Sequence, residues 1–305
     1  MKIRKKIIIG LSISLSVFLV WYLFVKEADY CISFKAKTAT GTVFQGIQEW
    51  SATQSKSNNE HYTIIEKRNF DLIKQEMKTA NSEFEYTWEL NAINDSVTKV
   101  NVGIKETSHS LYNRITAPFF STNFKVEQLK KVKDLKSGLE EHLKKFKVKI
   151  EGEGVSKEVF VAYLPLKSVL QEKAQNMIMT DSDITGFLYQ NKIAIIDKPY
   201  VEITNWDLDK ETIDFNYCFP IAKNTKIIPN DLVKFKTIPA MKGLKATYYG
   251  NFRTSDRAWF ALLDYAKKHD IKLKLLPLEQ FLANPFNGGE ELSWETKIII
   301  PFETK

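Results

Sequence analysis

The chain is short of the groups that most often announce chemistry. It holds two cysteines and four histidines in 305 residues. Cys31 and Cys218 lie far apart, and neither belongs to a CxxC pair or a metal-ligand spacing, so both read as free thiols packed as small apolar side chains. A disulfide between them is open to a chain outside the cytoplasm, though no residue pattern favours it. His61, His109, His142 and His269 are scattered, with no HExxH and no Cys/His cluster, which argues against a metal site. A strand-to-helix GxGxxG is missing too. The stretch Glu151-Gly152-Glu153-Gly154 is too short and too acidic to cradle phosphate, and it reads instead as a hinge between domains. No cofactor is expected, and no constellation of residues points to catalysis.

Acid is absent from residues 1–26, where Lys2, Arg4, Lys5, Lys6 and Lys26 stand alone. Taking those five from the 44 basic residues leaves 39 against 37 acidic ones. The net charge of +7 therefore belongs largely to the N-terminal flank. The remainder lacks the clustered basic footprint that nucleic acid requires, and no helix-turn-helix segment is found, so no nucleic-acid partner is expected. The apolar fraction of 44% and charged fraction of 27% are those of a globular chain, long enough here for two domains.

Residues 7–25 carry no charge. As a helix they would span roughly 28 Å at about 1.5 Å per residue, close to a hydrocarbon core of about 30 Å. Four basic residues precede this run, and Trp21 and Tyr22 lie near its far end. That arrangement favours a single-pass anchor in the cytoplasmic (inner) membrane, with residues 1–26 as the anchor, the N-terminus inside and the body outside the cytoplasm. A cleaved signal peptide is the competing reading. It usually has a shorter apolar region and small residues before the cut, where this chain offers Lys26-Glu27-Ala28. A lipoprotein reading through Cys31 is weakened by the bulky Tyr30 before it.

Alternation through Tyr30, Ile32, Phe34 and Ala36 predicts a strand, and Val43, Phe44, Ile47 and Trp50 form a helical stripe. Residues 51–60 are polar and read as a loop. Phe84, Tyr86, Trp88 and Leu90, then Val100, Val102 and Ile104, predict a hairpin across Asn94-Asp95-Ser96. Val126, Leu129, Val132, Leu135, Leu139, Leu143 and Phe146 recur at helical spacing, and the lysines between them read as a solvated outer face diluted by Glu127, Asp134, Glu140 and Glu141. One strand, one helix, a run of antiparallel strands and a long closing helix over 27–148 resembles the START/polyketide-cyclase-like helix-grip fold, the SRPBCC group. The resemblance rests on element order. It implies a sheet gripping the last helix over an apolar cavity, in a family of lipid and hydrophobic-ligand binders and some enzymes.

Beyond the glycine pair, strands are predicted at 159–166, 201–206 and 212–220, with a helix over 168–189 that breaks near Thr180-Asp181. The order strand, helix, strand, strand then recurs at 244–249, 255–269, 278–283 and 294–301, the sign of a weak internal duplication. The later half carries Tyr249-Gly250-Asn251-Phe252, Ala258-Trp259, Tyr265, Pro277-Leu278-Glu279-Gln280-Phe281, Asn284-Pro285 and Trp294-Glu295-Thr296-Lys297-Ile298-Ile299-Ile300-Pro301. On these motifs residues 152–305 resemble the GyrI-like, or AraC-effector-binding, domain. The expected fold class is thus α+β: an N-terminal transmembrane helix, a helix-grip antiparallel sheet domain, then a duplicated β-α-β-β effector-binding domain.

The GyrI-like resemblance implies a groove between two repeats that takes hydrophobic or cationic small molecules. Trp206, Tyr217, Tyr249, Trp259, Phe281 and Trp294 are the candidate rings, either lining that groove or packed as core. The family often places an acid after the Thr of the last strand, where this chain has Lys297. Glu295 lies one pleat earlier on the same face. Either Glu295 substitutes for that acid, or the two pair, or the pocket prefers a neutral or anionic ligand. Phe252 stands where the family usually has Tyr. The expected function is a membrane-anchored, non-enzymatic module binding or sensing a small hydrophobic or aromatic ligand. The alternatives are a hydrolase with Glu295 as general base and an effector module derived from a transcription regulator.

Overall fold

A computed structural model describes residues 2–57, 59–283, 285 and 288–303, with side chains for these from residue 6 onward except at 57. Asn284 of the Asn-Pro pair lies outside the described residues. The chain is α+β, with two antiparallel sheets and one N-terminal apolar helix. It divides into two compact units. The first comprises Met1–Ala36, Val43–Asn91 and Thr98–Glu140, and the second Lys37–Thr42, Ala92–Val97 and Glu141–Lys305.

In the first unit α1 (Lys2–Val20) continues into a π-helical turn (Trp21–Val25). Residues Lys6–Val25 are long and apolar enough to cross a membrane, and none of the apolar window is buried. The elements β1 (Tyr30–Ala36), α2 (Thr40–Ser57), β2 (His61–Arg68), β3 (Leu72–Lys78), β4 (Glu83–Asn94), β5 (Val97–Glu106), α3 (Ser110–Thr116) and α4 (Asn123–Leu143) follow. The five strands lie in the order β1-β5-β4-β3-β2. Period-two alternation sends Tyr86, Trp88, Val100, Val102 and Ile104 into the core, where Phe44 and Ile47 of α2 and Leu135 of α4 are also buried. Trp88 stacks on Tyr86 at 6.1 Å and meets Trp50 edge-on at 6.4 Å, geometries worth about 0.5–1.5 kcal/mol beyond area burial.

Two expectations for this unit change. Residues 51–57 are not loop but the continuation of α2. Ser51 is buried, and its hydroxyl donates to the Ile47 carbonyl at 2.9 Å while accepting from Gln75 Nε2 at 2.9 Å. A polar face had concealed helix whose inner polar groups are satisfied locally. The expected apolar hollow under the last helix is instead an open cleft of about 680 Å³, rimmed by Glu60, Glu127, Lys130, Lys131 and Asp134.

Arg114 on α3 is a buried cation in this unit. Its Nε donates to Asp29 Oδ1 at 2.9 Å, Nη1 to the Leu23 carbonyl at 3.0 Å and Nη2 to the Glu27 carbonyl at 3.3 Å. A helix leaves its last carbonyls without partners, and a cation there also suits the dipole. Asp29, itself buried, completes the group by accepting from the Glu106 amide at 2.9 Å and Ser110 Oγ at 2.5 Å.

The second unit runs β6 (Phe146–Val155), β7 (Val159–Val169), α5 (Lys173–Gln190), β8 (Tyr200–Asp207), β9 (Thr212–Pro220), β10 (Lys234–Ile238), β11 (Lys242–Gly250), α6 (Arg257–Lys268), β12 (Leu278–Phe281) and β13 (Glu295–Pro301). Its eight strands lie in the order β10-β7-β9-β8-β12-β13-β11-β6. One face holds the apolar cluster of Val161, Tyr200, Cys218, Ile238, Leu278 and Ile299. Burial pushes the Cys218 thiol well above its usual range. Cys31 is exposed, and both cysteines are free.

The glycine pair is not a hinge. Residues 151–154 lie inside β6, paired with β11. Lys245 faces Gly152 and Ala246 faces Ile150, so Glu151 is an extra residue, a β-bulge that needs Gly152 at φ +86°. The expected break in the helix at Thr180-Asp181 is also absent, since α5 is continuous. Thr180 Oγ1 turns back onto the Asn176 carbonyl at 2.8 Å, which satisfies the hydroxyl without opening the helix. A Cβ at residue 152 would meet no atom within 4 Å, so Gly152→Ala should cost only the left-handed backbone strain, about 1–2 kcal/mol. Urea denaturation of the full chain in detergent micelles would measure it as a lower midpoint for the second unit.

Candidate functional site

One apolar cavity in the second unit, about 350 Å³, is walled by α5, β9, β12, the residue before β8, and the 3-10 turn at Phe252–Thr254. Each element contributes by its own period. From α5 come Met177, Ile178, Asp181 and Thr185, one stripe at near-helical spacing. Tyr217 and Phe219 on β9, two residues apart, point to the same side. Phe281 closes β12, and Pro199 precedes β8. Phe252 arrives through the turn after Gly250, which sits at φ +147°, where an added Cβ would lie 2.7 Å from Tyr248 Oη. Asn251 then caps the turn, its side chain accepting from the Arg253 amide at 3.1 Å.

The rings stand at edge-on angles. Tyr217 and Phe219 are 4.9 Å apart at 66°, and Phe252 and Phe281 are 5.9 Å apart at 68°. One carboxylate joins them: Tyr217 Oη donates to Asp181 Oδ1 at 2.8 Å. Burial, then the Asp181 charge and bond, hold the Tyr217 phenol well above its ordinary pKa, so it remains a donor. The arrangement offers a flat apolar solute several aromatic faces and edges and one anionic group.

Of the residues singled out from the sequence, Tyr217 and Phe281 line this cavity. Trp206 and Trp259 do not. They pack edge to face at 5.1 Å in the core, and Trp259 is completely enclosed. Tyr249, Glu295 and Lys297 fall on the opposite face of the sheet. Thr296 pairs with Phe281 and shares its face, so alternation turns residues 295 and 297 away. Trp294 precedes β13 and donates through Nε1 to the Gly288 carbonyl at 2.8 Å. Lys297 is engaged by its own side of the sheet: Glu151 Oε1 at 3.0 Å, Glu295 Oε1 at 3.2 Å and Thr247 Oγ1 at 2.7 Å. The bulge is what brings Glu151 there. Thr247's hydroxyl and the nearby lysines hold the Glu151 carboxyl below its usual range. Glu295 therefore lies in a charge cluster with Lys297 on the face of the sheet opposite the cavity.

Asp181, Met177 and Thr185 were missed. Their signal was available in the i, i+4, i+8 spacing on α5, but reading 180–181 as a break hid it. Behind the cavity is a second unforeseen group. Glu279 on β12, completely buried, accepts from Trp259 Nε1 at 2.8 Å and from Lys173 Nζ at 2.7 Å. Lys173 also donates to Ser255 Oγ at 2.9 Å and lies 4.5 Å from the centre of the Trp259 ring. Among the described residues no group of three or more His, Cys, Asp or Glu side chains could hold a metal ion. Removing one partner of such a pair strands a buried charge, so Lys173→Met should destabilise the second unit by about 3–5 kcal/mol. Pairing it with Glu279→Gln should recover much of the loss, because glutamine still accepts from Trp259. Denaturant midpoints of the single and double variants check both statements.

No family model and no curated protein matches the chain. Solved structures similar to it include the EcmrR C-terminal domain, at 13% identity over 52% of this chain and 99% of that one, TM-score 0.44. SAV2435 bound to tetraphenylphosphonium is 10% identical over 52% of this chain and 93% of that one, TM-score 0.35. A hydrolase from Listeria innocua is 8% identical over 50% and 92%, TM-score 0.35.

Proposed function

We propose that the chain is a membrane-anchored, non-enzymatic binding or sensing protein whose second unit receives a small hydrophobic or aromatic molecule. The observation that carries this reading is the 350 Å³ cavity walled by four aromatic rings and one carboxylate. Its size falls in the range of small-molecule sites, about 300–1,000 Å³, and such sites pair apolar walls with a few placed polar groups. Aromatic faces attract a cation by about 0.5–2 kcal/mol each, and Asp181 adds a formal charge of the right sign. The preferred ligand is therefore a flat apolar molecule, with a delocalised cation favoured over its neutral counterpart.

Kinship with the GyrI-like domain is part of this proposal and rests on the sequence motifs. Chain order adds support, since β7-α5-β8-β9 is followed by β11-α6-β12-β13 and the two sets lie side by side in the sheet as β7-β9-β8 and β12-β13-β11. A helix-grip origin for the first unit rests on the succession of one strand, one helix, four antiparallel strands and a long α4. Insertion of Lys6–Val25 with the N-terminus in the cytoplasm follows the positive flank.

Titration of the full chain with the planar cation N-methylacridinium and with its neutral counterpart 9-methylanthracene tests the reading. Saturable binding with preference for the cation is expected. Tyr217→Ala and Phe281→Ala should each weaken it by roughly tenfold, about 1.4 kcal/mol. Asp181→Asn should act on the cation alone, and Glu295→Gln should change neither. Absence of saturable binding would remove the proposal.

A further inference from the structure

Residues 107–126 contain no Asp or Glu, and most of their large apolar side chains are turned outward, Phe124 excepted. In α3 the inner face is Asn113 and Arg114, both buried, while Leu111, Tyr112 and Ile115 are 47%, 61% and 51% exposed. The turn that follows is held by the Phe119 and Phe120 amides bonding to the Thr116 carbonyl, and its base, Ala117, is fully buried. Phe119 and Phe120 themselves are 79% and 64% exposed. Five large apolar side chains thus form one outward stripe on a structure that is otherwise well tied down. A patch of this kind marks a contact with something apolar.

What covers it follows from where α3 is fastened. Arg114 bonds the Leu23 and Glu27 carbonyls, and Tyr22 Oη donates to the Arg114 carbonyl at 3.2 Å. Residues 22 and 23 lie two or three places before Val25, the end of the membrane-length helix. At about 1.5 Å per residue these positions are within a few ångströms of that end. If Lys6–Val25 spans a bilayer, its last turn is at the boundary of acyl chains and headgroups, and α3 must be there too.

We propose that α3 and the Phe119–Phe120 turn are a second membrane contact, an interfacial wedge that seats the first unit on the bilayer beside its anchor. Aromatic and aliphatic side chains on a short amphipathic segment enter this boundary layer, and cations flanking it suit anionic lipid. Lys26 lies 4.9 Å from the centre of the Tyr22 ring, and Lys125 donates to the Ala117 carbonyl at 2.9 Å, so each end of the wedge carries a lysine. The inference rests on the anchor reading and goes beyond it, because a spanning helix alone leaves the stripe in water.

The test uses the full chain in vesicles of phosphatidylcholine and phosphatidylglycerol, with an environment-sensitive dye on single cysteines in a Cys31→Ser background. Cys218 is buried and stays unlabelled. Phe119→Cys and Ile115→Cys report on the wedge, Leu15→Cys on the anchor, and Ile65→Cys on an exposed site of edge strand β2. Acyl-brominated lipid should remove most of the emission at 15, 115 and 119 and leave 65 bright. Quenching at 15 without quenching at 115 and 119 would overturn the wedge and keep the anchor. No quenching at 15 would overturn the anchor reading, and the wedge with it. Labels at 115 and 119 shielded from aqueous iodide yet untouched by brominated lipid would identify a protein cover and also refute the proposal, as would equal quenching at 65.

Discussion

The second unit is organised around a charge it cannot expose. Glu279 is completely enclosed, and removing a carboxylate from water is tolerable only where partners replace the lost solvation. Two elements supply them: Lys173 at the start of α5 and Trp259 on α6. Both helices are thereby fixed to one strand, which sets where the α5 stripe falls relative to β9. The cavity walls are a consequence. Met177 and Asp181 follow Lys173 along α5, and Phe281 follows Glu279 by two residues on β12. Buried ion pairs are often no more stabilising than apolar packing, and what distinguishes this one is that it ties α5 and, through Trp259, α6 to a single strand.

Much of this architecture could be read from periodicity. Alternating apolar side chains at 84–90 and 100–104 predict the central hairpin, and the helical spacing at 126–139 predicts α4, because half-buried elements must repeat with the geometry of their backbone. Failures arose where local composition outweighed pattern. Gly152 and Gly154 suggested a hinge, although Phe146, Val148 and Ile150 alternate with Lys147 and Lys149 as a strand does. Ser51 and Thr180 sit where the sequence predicts a loop and a helix break, whereas each hydroxyl bonds back to a carbonyl four residues earlier. The short α3 carries no long period to detect.

The site was legible only in part, for a related reason. Sequence gives the number of rings but not which side of a sheet they occupy. Tyr217 and Phe281 reach the cavity while Tyr249 does not, a difference fixed by strand pairing and by the parity of each position. Trp259 was conspicuous for its size, yet its indole serves a buried carboxylate. Lys297 seemed to replace a missing acid, but its partner Glu151 comes from a distant strand, and only an added residue in β6 aims that carboxylate at it.

The Arg114 bonds make a stiff joint of what would otherwise be a tether. Only Lys26 to Asp29 separate the π-helical turn from β1, and within that span the Glu27 carbonyl and Asp29 carboxylate are both held by one guanidinium. A joint of that kind transmits torque. Any tilt or rotation imposed on the N-terminal helix is passed through Asp29 to the Glu106 amide at the end of β5, so the five-stranded sheet behaves as a lever arm fixed to the helix, turning with it instead of swivelling beneath it.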